Sequence, residues 1–463
     1  MKKLHDANNN VLQIIHCYSE DLNAEQIINM IKKHAFVYKH THWSQYQTSA
    51  FNICISYHHQ WIIYNTLFQS MSLLEHAEYL EMLQEETRNE NLKNHFIKQG
   101  FWIEKGIDEK KIYLDVVHKI RPYILTKSLG LTILPTLKCN ARCFYCFEQG
   151  IQQISMTKQT AQNIIHFIET KPDIEKVQFT WFGGEPMMNA ELIEYICNWL
   201  FIKNIPLTSQ MITNGYLLDN PEKIKNAKKY WHLKSVQITL DGLYETYNQR
   251  KNYMNPCINP FEKVIHNIQL LSHQHIHVTI RLNIDKDNFE EIIDLCQWLV
   301  SVFKDNKYVH AYGEFIRDNP KINSRIFVTF EERQYVMQKI MSILIEGNLF
   351  QVEELFQEYP RITACMNDHL QAYVINPDGT ICQCENESGC KECIIGEINH
   401  IDENTIQSSN HLNLSKQCES CQFLPMCLGG CQFSHRLDLE PCFLIRYAAD
   451  TLIRAYVRKQ EVL

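Results

Sequence analysis

The sequence predicts an α/β protein: a partial (β/α)6 barrel core, a small α+β, winged-helix-like module before it and a cysteine-rich domain after it. Three observations lead there. Strand-like runs alternate with helical patterns over residues 126–347. Residues 1–125 hold a hairpin pattern followed by amphipathic stretches. Residues 360–463 show little periodicity and carry ten of the eighteen cysteines.

In the first zone, AEQIINMIKKHAF near 23–35 has helical spacing. Phe51–Tyr57 and Trp61–Thr66 are strand-like, and the intervening HHQ reads as a hairpin loop. Apolar residues at helical spacing follow at 75–86 and 91–99. In the second zone the candidate strands are Leu131–Pro135, Val177–Trp181, Leu207–Ile212, Val236–Leu240, His277–Asn283 and Val309–Phe315. Helical patterns lie between them, at 157–170, 190–202, 261–273 and 288–303 among others. Six strand–helix units argue for a parallel sheet covered by helices. They suit a partial barrel better than a complete eight-stranded one, with chemistry expected at the C-terminal ends of the strands. The third zone is expected to be organised by metal. An amphipathic helix at about 444–459 closes it.

The net charge of −8 provides no broad basic surface for nucleic acid. No stretch of spanning length is free of charged and polar residues, so no membrane association is expected. MKKLHDANNNVLQ has no apolar run behind its lysines and does not read as a secretory signal. The expected location is the cytoplasm, a reducing compartment where clustered cysteines serve as metal ligands more often than as disulfides. Three cysteines fall at 139–146 and ten at 365–442. Cys17, Cys54, Cys197, Cys257 and Cys296 are isolated and read as small buried hydrophobes.

The strongest chemical signal is Cys139-Asn-Ala-Arg-Cys143-Phe-Tyr-Cys146, directly after the first barrel strand. Three thiolates can hold three irons of a four-iron cube and leave the fourth iron open. A zinc site with a distant fourth ligand is the alternative, although structural zinc more often pairs cysteines as CxxC…CxxC. After the second strand comes Gly183-Gly184-Glu185-Pro186. Glycines there let backbone approach a ligand closely, and Glu185 can accept from an ammonium.

Residues 139–146 resemble the signature of the radical S-adenosylmethionine (SAM) superfamily, and residues 183–186 are similar to its cofactor-binding GGEP motif. The resemblance implies an open-site [4Fe-4S] cluster on Cys139, Cys143 and Cys146. It also implies reductive cleavage of S-adenosyl-L-methionine to a carbon radical, and an electron donor such as a flavodoxin or ferredoxin. Further segments resemble family stretches near cofactor or substrate: Thr213-Asn214-Gly215, Gln237–Gly242 with Asp241, and Arg281-Leu-Asn283. A turn or a solvated strand end would explain each of these equally. Tyr145 stands at the family's aromatic position beside the adenine, and is also consistent with a packed aromatic. Arg250 falls in the substrate region of relatives, with an ordinary surface arginine as the simpler alternative.

The tail has Cys365, then Gly379 and Cys384, then Cys418-x2-Cys421-x5-Cys427-x3-Cys431, then Cys442. This resembles the SPASM domain, an iron–sulfur domain of peptide-modifying radical enzymes. The resemblance implies two auxiliary [4Fe-4S] clusters. Cys365, Cys384 and Cys431 would serve the first, and Cys418, Cys421, Cys427 and Cys442 the second. The first cluster's fourth ligand stays open among Cys382, Cys390, Cys393 and the substrate. A zinc ribbon is the competing reading, and ten cysteines exceed its needs.

The implied function is a peptide maturase of ribosomally synthesised natural products. It would abstract hydrogen from a precursor peptide to install a thioether or carbon–carbon cross-link. About 138 residues precede the cysteine loop, and their hairpin and helices resemble a recognition element that captures a leader peptide as an added strand. A structural cap on the barrel is the alternative. An anaerobic sulfatase maturase, making formylglycine, is the second function. Those enzymes usually carry Asp as a base after the cysteine equivalent to Cys384, where this chain has Glu385, capable of similar proton work. An iron–sulfur electron-transfer protein or zinc-binding adaptor is the non-enzyme alternative.

Overall fold

The computed structural model describes residues 2–5, 45–124, 128–171, 174–317, 329–356, 360–363, 365, 371–400, 412, 414–437 and 439–462. The helix expected at 23–35 and Cys17 lie outside them. The chain divides into two compact units. One comprises Met1–Ile124, Val352–Cys365 and Leu412–Leu463, and the other Leu125–Gln351 and Met366–His411. The cysteine-rich tail expected as one domain is therefore shared between them.

The second unit is built on β7 (Ser128–Ile133), β8 (Lys176–Trp181), β9 (Leu207–Thr213), β10 (Leu233–Leu240), β11 (His277–Ile284) and β12 (Val309–Phe315). These six strands pair in parallel and in chain order. Helices α4 (Lys158–Glu169), α5 (Ala190–Ile202), α6 (Pro221–Tyr230), α7 (Tyr244–Lys251), α8 (Pro260–His273) and α9 (Phe289–Phe303) connect them, and α10 (Phe330–Glu346) follows β12. The helices start where the sequence supplies caps. Thr157 accepts from Thr160 N. Asn220 and Asn259 cap α6 and α8 just before a proline, and Thr329 forms a capping box with Glu332. Each such cap stabilises its helix by about 1 kcal/mol. The outer edge of β7 is extended by β13 (Ala372–Ile375) in parallel, then by β14 (Thr380–Cys382) and β15 (Gly396–Glu397) antiparallel. Part of the tail thus completes the sheet, which its short strands did not announce.

The first unit holds β3 (Asn52–Tyr57), β4 (Gln60–Asn65) and β5 (Ser70–Glu75), an antiparallel meander. β1 (Lys2–His5) pairs with β5, giving the order β1-β5-β4-β3. The hairpin turn is His58-His59, because Gln60 pairs with Tyr57, and His58 takes a positive φ of 52°. The sheet is followed by α1 (His76–Leu83), α2 (Glu90–Lys98) and α3 (Glu109–Ile124). A two-stranded ribbon of β2 (Tyr46–Thr48) and β6 (Trp102–Glu104) stands beside it. Buried Asn65 knits the meander. Its amide nitrogen lies 2.8–3.0 Å from Ser49 Oγ, Asn52 Oδ1 and the Gly100 carbonyl, while its oxygen accepts from Leu67 N and Phe68 N.

The chain's end joins this unit as α11 (Lys416–Glu419), α12 (Leu424–Cys427), α13 (Gln432–Arg436) and α14 (Leu444–Val462). Phe51, Leu67, Phe68, Tyr113 and Val117 form one buried cluster with Leu424 and Leu428. Gln422 donates from Nε2 to the Asn52 carbonyl at 2.7 Å, and Thr66 Oγ1 donates to the Gln422 carbonyl. Among the described residues no helix is long and apolar enough to cross a membrane.

Candidate active site

The loops after the parallel strands gather at the C-terminal ends of the sheet, as expected for this architecture. The cysteine loop leaves β7, and the Gly183–Pro186 loop leaves β8 and lies directly against its base. Gly184 N donates to the Thr136 carbonyl at 3.1 Å and Glu185 N to the Lys138 carbonyl at 2.9 Å. A Cβ on Gly183 would stand 2.5 Å from the Thr136 oxygen, and one on Gly184 2.4 Å from the Lys138 oxygen. Both contacts are closer than atoms tolerate. In the structure these glycines admit the cysteine loop's own backbone, a demand the motif alone did not disclose.

Glu185 is fully buried. Its carboxylate accepts from Thr213 Oγ1 at 2.8 Å, from Asn214 N at 2.9 Å and from Met187 N at 3.0 Å. Burial pushes the carboxyl upward, and the hydrogen bonds from Asn214, Thr213 and Met187 hold it back. It thereby ties the β8 and β9 loops together. Asn214 continues the tie, donating from Nδ2 to Asn140 Oδ1 inside the cysteine loop at 2.7 Å.

The end of α7 clamps the loop from another side. The carbonyls of Lys251 and Asn252 accept from Arg142 N at 2.9 and 3.1 Å, and Met254 N donates to the Asn140 carbonyl. Lys251 is 3% exposed. Its ammonium lies 2.9 Å from Asp241 Oδ2 and 3.0 Å from the Tyr145 hydroxyl, which itself donates to Asp241 Oδ2 at 2.8 Å. Tyr145 is therefore anchored through its hydroxyl. Asp241 Oδ1 is buried without a hydrogen-bond partner.

Arg250 is not the surface arginine that served as the simpler alternative. It is buried, its guanidinium pairs with Asp285 at 2.8 Å and it covers the Phe144 ring. Asn288 joins the ends of β10 and β11 by donating to the carbonyls of Asp241 and Asn283. Arg281 Nε donates to Asn283 Oδ1 at 3.1 Å. Glu385 stands in the same field. Burial raises its carboxyl, against the lowering pull of Arg317 and Arg281.

Burial pushes the Cys139 and Cys146 thiols up to about 12 and raises Cys143 as well. Such thiols become thiolates only beside strong positive charge, which bound iron provides. Among the described residues no three His, Cys, Asp or Glu side chains converge on a single-ion site. A cluster makes no such demand, since its cysteines bind separate irons. The donor set, its buried setting and the unsatisfied Asp241 oxygen fit an iron–sulfur cluster with a polar cofactor beside it.

In the first unit, Cys418, Cys421, Cys427 and Cys442 line one cavity with Phe423 and Phe443. Leu428, Gly429 and Gly430 are consecutive left-handed residues, with φ of 48°, 83° and 76°. A Cβ on Gly430 would stand 2.1 Å from the Pro441 carbonyl, which accepts from Cys431 N at 3.0 Å. That turn brings Cys442 to the other three cysteines. Cys365 and Cys431 belong to this unit, Cys384 to the other. Cys382 is wholly buried among Leu134, Leu137 and Val374.

The sequence reading missed Lys251, Asn140, Asp285 and Asn288. None stands in a diagnostic spacing. The one usable signal was the Arg250-Lys251 dipeptide in an otherwise polar helix, unremarkable until both side chains prove buried.

Comparison with known proteins agrees with this geometry. Residues 133–299 match the Radical SAM superfamily model. The chain is 22% identical over 388 residues to the radical SAM cyclopropyl synthase TigE of Paramaledivibacter caminithermalis, covering 74% of this chain and 76% of that one. It is 25% identical over 352 residues to a cysteine-type anaerobic sulfatase-maturating enzyme of Clostridium novyi, covering 68% and 90%. Among solved structures, anSMEcpe with bound AdoMet and the Kp18Cys peptide aligns with a TM-score of 0.58 at 17% identity, over 73% of this chain and all of that one. Streptococcus suis SuiB bound to its precursor peptide SuiA aligns with a TM-score of 0.50 at 14% identity, over 86% and 99%. The structural likenesses speak for a shared fold. The family match, with the cysteine loop inside it, gives the chain a radical SAM domain at residues 133–299.

Proposed function

We propose that the chain is a peptide maturase that abstracts hydrogen from a precursor peptide and installs a thioether or carbon–carbon cross-link, or a related modification. One observation carries this reading. Within the first unit Phe51, Leu67, Phe68, Tyr113 and Val117 share a buried core with Leu424, which also lines the four-cysteine cavity of the tail. A module built onto such a cavity suits the guiding of a long substrate. The peptides held by SuiB and anSMEcpe support a peptide substrate.

In this reading Cys139, Cys143 and Cys146 hold the open-site [4Fe-4S] cluster. That cluster supplies the electron for reductive cleavage of S-adenosyl-L-methionine. Gly183–Pro186, Thr213 and Asn214 shape the cofactor's seat. Asp241, with a free buried oxygen, accepts from a cofactor hydroxyl or amine, and Lys251 keeps Tyr145 and Asp241 in place. Arg281 and Asn283 belong with them among the residues proposed to bind the cofactor. Cys418, Cys421, Cys427 and Cys442 hold one auxiliary cluster. Cys365, Cys384 and Cys431 contribute to the other. A flavodoxin or ferredoxin delivers electrons. The leader docks on the N-terminal module by strand addition.

A second reading, formylglycine formation, is favoured by the 90% coverage of the sulfatase-maturating relative. Glu385, a half-buried carboxyl in the field of Arg281 and Arg317, would then take the proton.

The test is anaerobic reconstitution, reduction and incubation with S-adenosylmethionine, with and without a short cysteine-containing peptide encoded beside the gene. 5′-Deoxyadenosine formation and loss of two hydrogens from the peptide are expected. An aldehyde trapped by a hydrazide would favour the second reading. No iron absorbance or no 5′-deoxyadenosine would leave only an electron carrier or zinc adaptor.

A further inference from the structure

The sequence leaves Cys390 and Cys393 as rival candidates for one ligand position, but the structure brings them together as a pair. Both are half-buried and stand at the two ends of a single turn, Cys393 N donating to the Cys390 carbonyl at 3.3 Å. Cys393 Sγ lies 2.8 Å from Cys390 Sγ, and Cys390 Sγ donates to Glu392 Oε2 at 3.3 Å. The turn is pinned on both flanks. Before it, Ser388 Oγ donates to Glu148 Oε1 at 3.4 Å and Gly389 N to Asn376 Oδ1 at 3.2 Å. Gly389 has a φ of 72°, and a Cβ there would stand 2.4 Å from Ile151 Cγ2. After it, Ile395 N donates to the Ile381 carbonyl at 2.9 Å, and β15 pairs with β14.

The placing of the two sulfurs discriminates between uses. Two thiolates bonded at about 2.3 Å to one tetrahedral zinc stand about 3.8 Å apart. Thiolates on separate irons of a cluster stand farther apart still. A disulfide needs about 2.05 Å between sulfurs and about 4.4–6.8 Å between Cα atoms, and the ends of a four-residue turn meet the second condition. From 2.8 Å the pair closes by a shift of roughly 0.8 Å, whereas a shared metal would have to push it open. Among the described residues no third His, Cys, Asp or Glu joins the two in a group able to hold a metal ion. The pinned flanks also remove most of the chain freedom that closing a bond would otherwise lose. Lys391 and Glu392, between the cysteines, are exposed, so a disulfide in solution can reach the sulfurs.

We infer that Cys390 and Cys393 form a dithiol–disulfide couple that exchanges with the disulfide of a cysteine-containing peptide. One thiolate attacks a sulfur of the substrate disulfide and forms a mixed disulfide, releasing the first substrate thiolate. The neighbouring cysteine, already in contact, attacks the mixed bond and releases the second. The substrate gains two electrons, the two cysteine protons pass to its two thiols, and the Cys390–Cys393 bond forms. A low-molecular-weight thiol in excess returns the couple to the dithiol. The couple stands on the turn geometry. That its substrate is a precursor peptide, whose cysteine must be a thiol before a thioether is made, rests on the function proposed above.

Thiol trapping on the full, iron-reconstituted chain tests it. The reduced protein is mixed anaerobically with one of two probes, oxidised glutathione or the disulfide-linked dimer of a short cysteine-containing peptide, then alkylated and digested. Mass spectrometry should find the Cys390–Cys393 disulfide, with two probe thiols released for each bond formed. Of the variants Cys390→Ser and Cys393→Ser, at least one should accumulate the mixed disulfide on its remaining cysteine. The double variant should release probe thiols at least about tenfold more slowly, with its iron content unchanged. Absence of the bond in the parent would overturn the inference, as would equally fast thiol release in the double variant. Loss of iron in the double variant would also overturn it, by making the pair metal ligands. Exchange with glutathione but not with the peptide dimer would overturn the peptide as substrate. 5′-Deoxyadenosine formation by the parent is measured in parallel. Its absence argues against the enzyme reading, while the trapping results bear on the couple alone.

Discussion

The cysteine loop at 139–146 and the cysteine cavity at 418–442 solve one problem in opposite ways. The loop's three cysteines are close in sequence, and polar ties from distant strand ends hold it: Glu185, Asn214, and the Lys251–Asp241–Tyr145 group. The cavity's four cysteines span 25 positions, and apolar packing with a left-handed turn at 428–430 draws them together. A site within a catalytic sheet needs buried charge to position a reactive cofactor. A cavity walled by Phe423 and Phe443 needs only chain folding, and here that folding is shared with the N-terminal module.

The largest effect should separate the two sets of cysteines. Replacing Cys139, Cys143 and Cys146 by Ala should bring 5′-deoxyadenosine to background while iron bound by the tail persists. Replacing Cys418, Cys421, Cys427 and Cys442 by Ala should leave cofactor cleavage within about tenfold of the parent, yet stop peptide product. Equal loss of cleavage in both variants would erase the distinction.

Lys251→Met should come next, because it strands the Asp241 carboxylate without its cation. Breaking a buried pair from one side costs about 3–5 kcal/mol. A drop of that order in denaturant stability is expected, largely recovered in the Lys251→Met, Asp241→Asn double variant. No recovery would mean that the pair is not what holds the loop.

Gly430→Ala should act on the cavity only. Its Cβ would meet the Pro441 carbonyl at 2.1 Å, on a residue with φ of 76°. Strain of roughly 1–3 kcal/mol is expected, read as reduced tail iron with the loop cluster's spectrum unchanged. A changed loop spectrum would show that the two sites are coupled.

The effect most confined to one side chain concerns buried charge in the first unit. Burial raises the Glu109 carboxyl from 4.5 to about 7, although Ser49 and the backbone amides of Ala50 and Phe51 oppose it. The folded form therefore holds the proton more tightly than the unfolded form. Stability is full below pH 4.5 and falls as pH rises towards 7, by roughly 3 kcal/mol in total. Glu109→Gln should flatten that slope in urea unfolding monitored from pH 5 to 8. An unchanged slope would assign it to other groups.

Much of the parallel sheet and its helices was legible in the sequence. Val309–Phe315 is a strand with the expected bounds, and Ala190–Ile202 a helix with the expected bounds, because alternation and helical periodicity are local. The hairpin shifted by one residue, since pairing of Tyr57 with Gln60 left only two residues in its turn. Ser70–Glu75 escaped notice because both its faces are buried, so it shows no alternation and runs into a helical pattern. β13 to β15 are too short to stand out and gain their strand character from the edge of β7.

The sequence by itself determined the chemistry class, because three thiolates at short spacing form a cluster site within one loop and need few distant partners. Only the tertiary structure decided what holds that loop and what the tail belongs to. Lys251, Asp285 and Asn288 gain their roles from burial beside opposite charges or open carbonyls, and burial arises where separate strands end together. The tail's division between two units likewise follows from packing over long sequence separations, which no motif records.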